Sequence, residues 1–408
     1  MMKDKLASRI FKHPLFYVCR DIERALGLSP SFPGYIIITN ASHLAVQLAK
    51  KFRQVILIKE KDNLDTWKLL EHPRTKKLIK RGDNVLVFKN TPQIEQLCHK
   101  HGWKLLNPSA KLAGEVEEKI SQIKWLGPLA KYLPKYKITI CKKLSWGNKK
   151  FILQFNRSHT GSGTMLIENK KQLAEIQKKF PQREVRVAEY VPGPLFTNNN
   201  VVWGDKILLG NINYQITGLK PFTDLPFATI GNDWALPHKI LSAKQIKQYN
   251  IIAMDVGQRL KKSGWKGLYG IDVVVHKKTG RLYLLEINAR QPASTTYESE
   301  LQLFVNTTPT PPRKQGGEQI STFEAHLASL LGLTPNKYKL ITIKDGAQII
   351  QRITNKKIQL NKKSLIKKGF NLIKYDNDKH GADYLRIQSN VGIMSAHNKF
   401  NKTGQEIL

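Results

Sequence analysis

The chain has 408 residues, 41% of them hydrophobic, and its 67 Lys and Arg against 31 Asp and Glu give a formal net charge of +36. That length predicts two or three domains. The sequence excludes a membrane span, having no run of about eighteen uninterrupted apolar residues. Secretion is not expected either, because the basic N-terminus MMKDKLASRIFKHPLF lacks an apolar stretch and a small-residue cleavage site. Cys19, Cys98 and Cys141 are too few and too scattered for a disulfide or zinc framework, so a cytoplasmic setting is expected. The basic excess is dispersed in pairs such as Lys76-Lys77, Lys149-Lys150 and Lys261-Lys262, which predicts nonspecific contact with nucleic acid through charge rather than recognition.

Tyr35 to Thr39 reads as a buried strand, Ser42 as the cap of a helix through Phe52, and Gln54 to Lys59 as a second strand, together a parallel βαβ unit. A strand at Asn84 to Phe88 and a helix at Pro92 to His101 extend it to a Rossmann-like domain over residues 1–110, without the G-x-G-x-x-G of a dinucleotide site. Asn40 and Ser42 end the first strand at the edge where such sheets bind ligands, and each also suits a capping role. Leu112 to Leu133 reads as one helix interrupted by Gly127-Pro128, on which Lys119 can pair with Glu115. Strands at Phe151 to Phe155 and Met165 to Ile167 flank a loop whose Thr160, Gly161, Ser162 and Gly163 let backbone N–H groups approach phosphate oxygens. Hairpins use the same residues.

A helix over Lys171 to Phe180 leads to the strand-like run Val185 to Gly193. Gly204-Asp205 joins strands Asn200 to Trp203 and Lys206 to Asn211 as a type I′ turn. Asn213 to Trp234 reads as a long irregular segment over the site, with Lys220 as a phosphate candidate. An amphipathic helix follows from Ser242 to Ser263, ended by Gly264. After Arg290, Gln291 to Glu298 has the small, polar make-up of a substrate-facing turn, Thr307 to Gly317 is a Pro-rich insertion, and Thr322 to Leu331 is a helix. Residues 336–408 form a small strand-rich module suited to supporting a cleft or to forming a homodimer.

Gly270 to Arg290, GIDVVVHKKTGRLYLLEINAR, is the most informative stretch. Two apolar runs flank Lys278-Thr279-Gly280, a three-residue loop with glycine where positive φ is needed. If Lys277 pairs with Arg281, Asp272 lies opposite Glu286, and alternation puts Asn288 on the face of Glu286. Two carboxylates and an amide converging in an apolar sheet call for a cation, and three hard oxygen ligands suit magnesium carrying phosphates.

GIDVVV followed by YLLEINAR closely resembles the metal-binding end of the ATP-grasp superfamily, which includes biotin carboxylase, D-alanine:D-alanine ligase and the carbamoyl phosphate synthetases. The resemblance covers roughly residues 112–335 and implies an α/β (α+β) ATP-grasp fold, with a nucleotide-binding core over 111–335 between the two flanking domains. By that resemblance Asp272, Glu286 and Asn288 hold two magnesium ions on ATP, manganese being able to substitute, with Glu286 bridging them and Arg290 facing an acyl phosphate or substrate anion. Lys119 reaches the nucleotide phosphates, the loop with Thr160 to Gly163 covers the triphosphate, and Glu189, Tyr190 and Val191 form the adenine hinge, although Tyr190 also suits core packing. The sequence departs from the pattern twice: Gln154 stands where many members carry lysine, leaving Lys142, Lys143 or Lys150 to substitute, and Ala188 where an acidic residue is expected. The implied function is an ATP- and magnesium-dependent ligase that activates a small-molecule or peptide carboxylate as an acyl phosphate and joins it to an amine. A biotin carboxylase-like use of bicarbonate, and a noncatalytic ATP-binding module with nonspecific nucleic-acid affinity, are the alternatives.

Overall fold

Runs of Ile, Val and Leu build the first layer as strands buried on both faces, the composition of a parallel sheet. β1 (Leu15–Cys19), β2 (Tyr35–Asn40), β3 (Val55–Ile58), β4 (Asn84–Val87) and β5 (Lys104–Leu105) pair in parallel in the order β3-β2-β1-β4-β5. The computed structural model describes residues 2–156, 163–307, 318–335, 337–355 and 360–408. Residues 157–162, and with them Thr160, Gly161 and Ser162, lie outside that set, as does the Pro-rich run over 308–317.

Helix α1 (Met2–Lys12) leads into the central strand β1, and neither had been read from the sequence. α2 (His43–Lys51) starts on Ser42, whose hydroxyl accepts the Ala45 N–H at 3.3 Å. Asn40 ties loops together, donating to the Arg20 and Leu64 carbonyls and accepting from Leu64 N. Both residues at this edge thus perform the capping and bracing roles open to them. α3 (Thr66–Glu71), α4 (Pro73–Leu78) and α5 (Pro92–His101) lie along this domain, with Leu69, Leu70, Ile94 and Leu97 packed against Phe16, Val18 and Val85 on one face of the sheet. On the other face Tyr17 and Ile37 join a core that includes Phe323 and Leu327.

The helix expected over Leu112 to Leu133 is two helices and a 3₁₀ turn. α6 (Ala110–Glu117) stops at Glu118, α7 (Ser121–Leu126) begins three residues on, and Gly127, at φ +54°, opens the 3₁₀ turn Gly127–Tyr132. Asn156 makes the break. Its Oδ1 accepts the N–H of Ile120 at 2.8 Å, its Nδ2 donates to Glu118 at 2.8 Å, and its backbone carbonyl takes Lys119 N at 3.3 Å. Lys119 therefore sits in a pinned corner, not on a solvated helix face.

The second sheet is small and antiparallel. β6 (Tyr136–Ile140), β7 (Phe151–Phe155), β8 (Thr164–Ile167) and β9 (Glu184–Glu189) are ordered β6-β9-β7-β8. One face buries Leu153, Phe155, Val185 and Val187 against Leu173 of α8 (Lys170–Lys179).

The third sheet has nine strands. β10 (Leu195–Trp203) and β11 (Lys206–Leu208) turn on Gly204, at φ +58°, with Trp203 opposite Lys206 as the type I′ signal predicts. The segment expected to be irregular is mostly a hairpin: β12 (Asn213–Thr217) and β13 (Thr229–Asp233) pair, and only 218–228 is loop. Its alternation had been hidden among Asn, Gln, Thr and Gly. Lys220 is exposed in that loop, near Asp224, whose carboxyl is held below the ordinary range first by the Asn355 N–H it accepts and then by His380, with Lys220 adding least. After α9 (Pro237–Ile240), α10 (Ala243–Lys262) starts on a Ser242–Gln245 capping box and covers β14 (Gly267–Val275) and β15 (Leu282–Asn288).

Of the polar run read as a substrate-facing turn, only residues 291–294 are non-helical. α11 (Thr295–Thr307) begins inside it, and Glu298, fully buried, accepts from Asn211 and Thr322 and contacts Asn199. A short parallel pair, β16 (Gln319–Ile320) with β17 (Lys339–Leu340), brackets α12 (Thr322–Leu330). The C-terminal strands β18 (Ala347–Arg352), β19 (Asn371–Lys374) and β20 (Asp383–Ser389) continue the large sheet, in the order β15-β14-β10-β12-β13-β18-β20-β19. Tyr375 ties this region to the N-terminal sheet, donating to Glu23 at 2.6 Å and accepting from Arg386 at 2.9 Å.

Candidate active site

The β14–β15 hairpin places Asp272 directly opposite Glu286, as expected, by a different route. At the turn His276, not Lys277, pairs with Arg281, and Gly280 takes φ +68°. The ladder then runs one residue out of the expected register, with Val273 opposite Leu284, until a bulge at Leu285 restores Asp272 to Glu286. The bulge has a physical reason. Leu284 and Ile287 both belong to the core under α10, and an odd spacing can face inward twice only if the ladder slips once between them. Asp272, Glu286 and Asn288 are left half-buried on the other side, with Asn288 paired to Gly270.

Asp272 accepts from Gln215 of β12 at 2.8 Å and also bonds to Thr197 of β10. Burial, with the Glu286 charge across the ladder, pushes its carboxyl up to about 6. For Glu286 burial acts the same way, but Lys119 and Arg290 outweigh it and hold the carboxyl below the ordinary range. Lys119 Nζ lies 3.1 Å from Glu286 Oε1 and not on Glu115, so the corner between α6 and α7 delivers an ammonium to the hairpin.

Arg290, two residues beyond Asn288, is anchored by Glu117 at the end of α6, and Lys89 of the N-terminal domain lies 2.7 Å from the other oxygen of Glu117. Burial weakens the guanidinium's hold on its proton, while Glu117 and Glu286 strengthen it by more. Glu117 and Lys89 carried no sequence signal: each is an ordinary charged residue until the fold brings three elements together.

The small sheet supplies the facing wall. Gln154 of β7 pairs across the ladder with Arg186 of β9, so both project from the face opposite Leu153, Phe155, Val185 and Val187. Arg186 Nε donates to Gln154 Oε1 at 2.8 Å, and its Nη1 donates to the Lys119 carbonyl at 3.2 Å and to Gln122 at 3.4 Å. Glu286 attracts it, and burial lowers its pKa to about 10. Of the lysines expected to substitute at Gln154, Lys150 is committed elsewhere, 2.5 Å from Glu168, and Lys142 and Lys143 lie in a 3₁₀ turn beyond β6.

Gly163 closes the described end of the loop, its carbonyl accepting Phe155 N at 3.0 Å. Glu189 ends β9 exposed, and Tyr190 and Val191 are half-exposed on the crossing to the large sheet, so Tyr190 is not a core residue. That crossing docks on the hairpin: Lys277 N donates to Pro192 O at 2.9 Å, and at Gly193 a Cβ would stand 1.9 Å from the Val275 carbonyl oxygen. Glycine is required there by close backbone approach.

The donor set suits magnesium. Asp272, Glu286 and Asn288 offer hard oxygens, and the Lys119 ammonium already occupies a cation's place on Glu286. Among the described residues no group of three or more His, Cys, Asp or Glu could hold a metal, so a cation here would have only the two carboxylates and the Asn288 amide oxygen from the protein.

Two sheets meeting over an acidic hairpin, behind a parallel α/β layer, define a mixed α/β protein with a cluster of charged side chains at their junction. The sequence profile described as an ATP-grasp domain matches residues 116–294, so that part of the chain carries the sequence of an ATP-grasp domain. Among solved structures, N5-carboxyaminoimidazole synthetase from Staphylococcus aureus complexed with ADP matches 97% of this chain and 95% of its own at TM-score 0.64 and 14% identity. Carboxyaminoimidazole ribonucleotide synthase from Aspergillus clavatus complexed with ATP matches 97% of both chains at 0.62 and 12%. Phosphoribosylamine–glycine ligase from Thermotoga maritima matches 97% of this chain and 94% of its own at 0.59 and 13%. At these identities the likeness is one of fold. No curated protein matches the chain in sequence. Among the described residues no helix is long and apolar enough to cross a membrane.

Proposed function

We propose that this chain is an ATP- and magnesium-dependent ligase that phosphorylates a small carboxylate, with bicarbonate the favoured one, and transfers the activated carbonyl to an amine. The carrying observation is the convergence of Asp272, Glu286, Lys119 and Arg290 from three separate elements at one junction. Bicarbonate, the alternative in the sequence reading, gains support from the likeness along 97% of the chain to synthetases named for N5-carboxyaminoimidazole. The glycine ligase among the neighbours keeps an organic carboxylate as the second reading.

In this reading Asp272, Glu286 and Asn288 hold magnesium, two ions in the full expectation, which when bound offsets phosphate charge. Lys119, which pairs with Glu286 in this structure, would turn its ammonium to the phosphates, and the segment over Glu189, Tyr190 and Val191 would receive the adenine. Gln154 and the loop residues Thr160, Gly161, Ser162 and Gly163 complete the nucleotide side. A carboxylate oxygen attacks the γ-phosphorus, forming one O–P bond as the bond to the β-phosphate oxygen breaks and ADP leaves. Arg290, kept protonated by Glu117, steadies the anionic acyl phosphate. The amine then attacks the carbonyl carbon, phosphate leaves with the oxygen it gained, and the nitrogen loses a proton. Closing the junction excludes water that would hydrolyse the intermediate.

The test follows one oxygen. With ¹⁸O-labelled bicarbonate, magnesium–ATP and a pool of amines, label is expected in the released phosphate. ADP release that leaves phosphate unlabelled with bicarbonate and with pooled labelled carboxylic acids alike would remove carboxylate activation from the account.

A further inference from the structure

We infer that Arg186 is a nucleotide-binding residue of this chain, supplying from strand β9 the fixed positive charge that meets the polyphosphate beside Gln154. The inference rests on the nucleotide reading above and adds to it a residue that the sequence alone did not single out.

Three cations project toward the junction, and two are neutralised in place: Lys119 by Glu286, and Arg290 by Glu117. Arg186 differs. It is only 2% exposed, yet its hydrogen-bond acceptors are neutral: the Gln154 and Gln122 side-chain oxygens and the Lys119 carbonyl. Among the described residues no carboxylate lies within ion-pair distance of it. A buried guanidinium without a counter-ion costs several kcal/mol, and folded proteins ordinarily place a carboxylate beside it. Here Glu286 supplies attraction only from a distance.

The geometry explains why the charge is kept. Nε and Nη1 are spent on Gln154, Gln122 and the Lys119 carbonyl, which fixes the guanidinium plane, while Nη2 takes no part in these bonds. A guanidinium plane fixed in this way, with Nη2 left over on the face that carries Gln154 and looks toward Lys119 and Glu286, suits a charge-assisted hydrogen bond to a phosphate oxygen. Gln154 then acts as a neutral prop that aims Arg186. A lysine at 154 would put two cations side by side across the ladder, each raising the cost of the other. Glutamine on β7 and arginine on β9 thus form one arrangement in which the charge has moved to the neighbouring strand.

The experiment measures binding of magnesium–ADP and of adenosine by calorimetry to the full chain and to Arg186→Gln, Arg186→Lys and the relocated pair Gln154→Lys/Arg186→Gln. Loss of one charged hydrogen-bonding partner predicts at least about tenfold weaker ADP binding in Arg186→Gln, with adenosine binding within about twofold. Arg186→Lys retains part of the ADP affinity, and the relocated pair recovers most of it because the charge has returned to the same face. Unchanged ADP affinity in Arg186→Gln overturns the inference, as does an equal loss for ADP and adenosine, which marks a merely structural role. Should Arg186→Gln not fold, the relocated pair decides: ADP affinity within about fivefold of the unaltered chain supports the inference, and no preference for ADP over adenosine overturns it. An unaltered chain that binds neither ligand overturns the nucleotide reading itself, and this inference with it.

Discussion

Two aspartates of the large sheet, on strands only a few ladders apart, have opposite surroundings. Asp233, at the end of β13, is fully buried and accepts four backbone N–H groups, from Ala235, Leu236, Ile393 and Met394, at 2.7–2.9 Å. Asp272, on β14, is half-buried, bonds to Gln215 and Thr197, and faces another carboxylate across the ladder. Burial raises both pKa values, but Asp233 is compensated by donors and Asp272 is confronted by Glu286. The difference separates a carboxylate that holds the fold from one proposed to serve a ligand: Asp233 staples the C-terminal region to the sheet, whereas Asp272 faces Glu286, whose counter-charge is the Lys119 ammonium.

Substitutions at the two places should therefore have inverse effects. Glu286→Gln is expected to lower magnesium-dependent turnover by at least about a hundredfold, as loss of a metal-bridging charge would. Its melting temperature should change little, the relief of like-charge repulsion with Asp272 being set against the loss of the Lys119 ion pair. Calorimetry beside an ADP-release assay reads both, and a destabilised but active Glu286→Gln would break the contrast. Asp233→Ala strands four buried donors and should cost about 3–5 kcal/mol in denaturant unfolding, while turnover per folded molecule stays within about twofold.

A third prediction concerns the anchor of β14. His326 accepts the Leu268 N–H at 3.1 Å, and burial drives its pKa down to about 3. A neutral imidazole in the folded state, against one that protonates near 6.5 when unfolded, leaves its contribution intact above that pH. The contribution is lost progressively as pH falls from about 6.5 toward 3. Between pH 6.5 and 5 stability should fall by roughly 2 kcal/mol from this group, and His326→Gln should remove that part of the slope. The smallest effect is expected at Glu117→Gln, which frees Arg290 from its anchor. The KM for the carboxylate should rise severalfold while magnesium–ADP affinity stays within about twofold; the reverse pattern would place Arg290 on the nucleotide instead.

The acidic hairpin was legible because Asp and Glu among Val, Ile and Leu break the composition of a strand. Its register was legible only in outcome: one residue missed at the turn was restored by the bulge at Leu285, which depends on a core that the local sequence does not display. Arg186 could not be singled out, since its significance comes from standing opposite Gln154, and strand adjacency is a property of the folded sheet. The same reason hid the union of β13 with β18, where residues more than a hundred positions apart become neighbours, as Gly231 and Ile349 show. Polarity misled at the start of α11, where Glu298, read as part of a substrate-facing turn, bonds instead to Thr322 of α12 and to Asn211 and the buried Asn199. The βαβ units, the Gly204 turn and the capped helices α2, α10 and α12 followed from local chemistry and could be read directly.

The central claim is that Asp272 and Glu286 form a magnesium–nucleotide site made for turnover. The most direct measurement is magnesium-dependent ADP release from ATP with bicarbonate and pooled amines, run on the unaltered chain, Glu286→Gln and Asp233→Ala at matched folded concentration. The account predicts acceptor-stimulated release in the unaltered chain and in Asp233→Ala, abolished in Glu286→Gln. Release that persists in Glu286→Gln, or tight ATP binding without release under any acceptor or carboxylate, would contradict it.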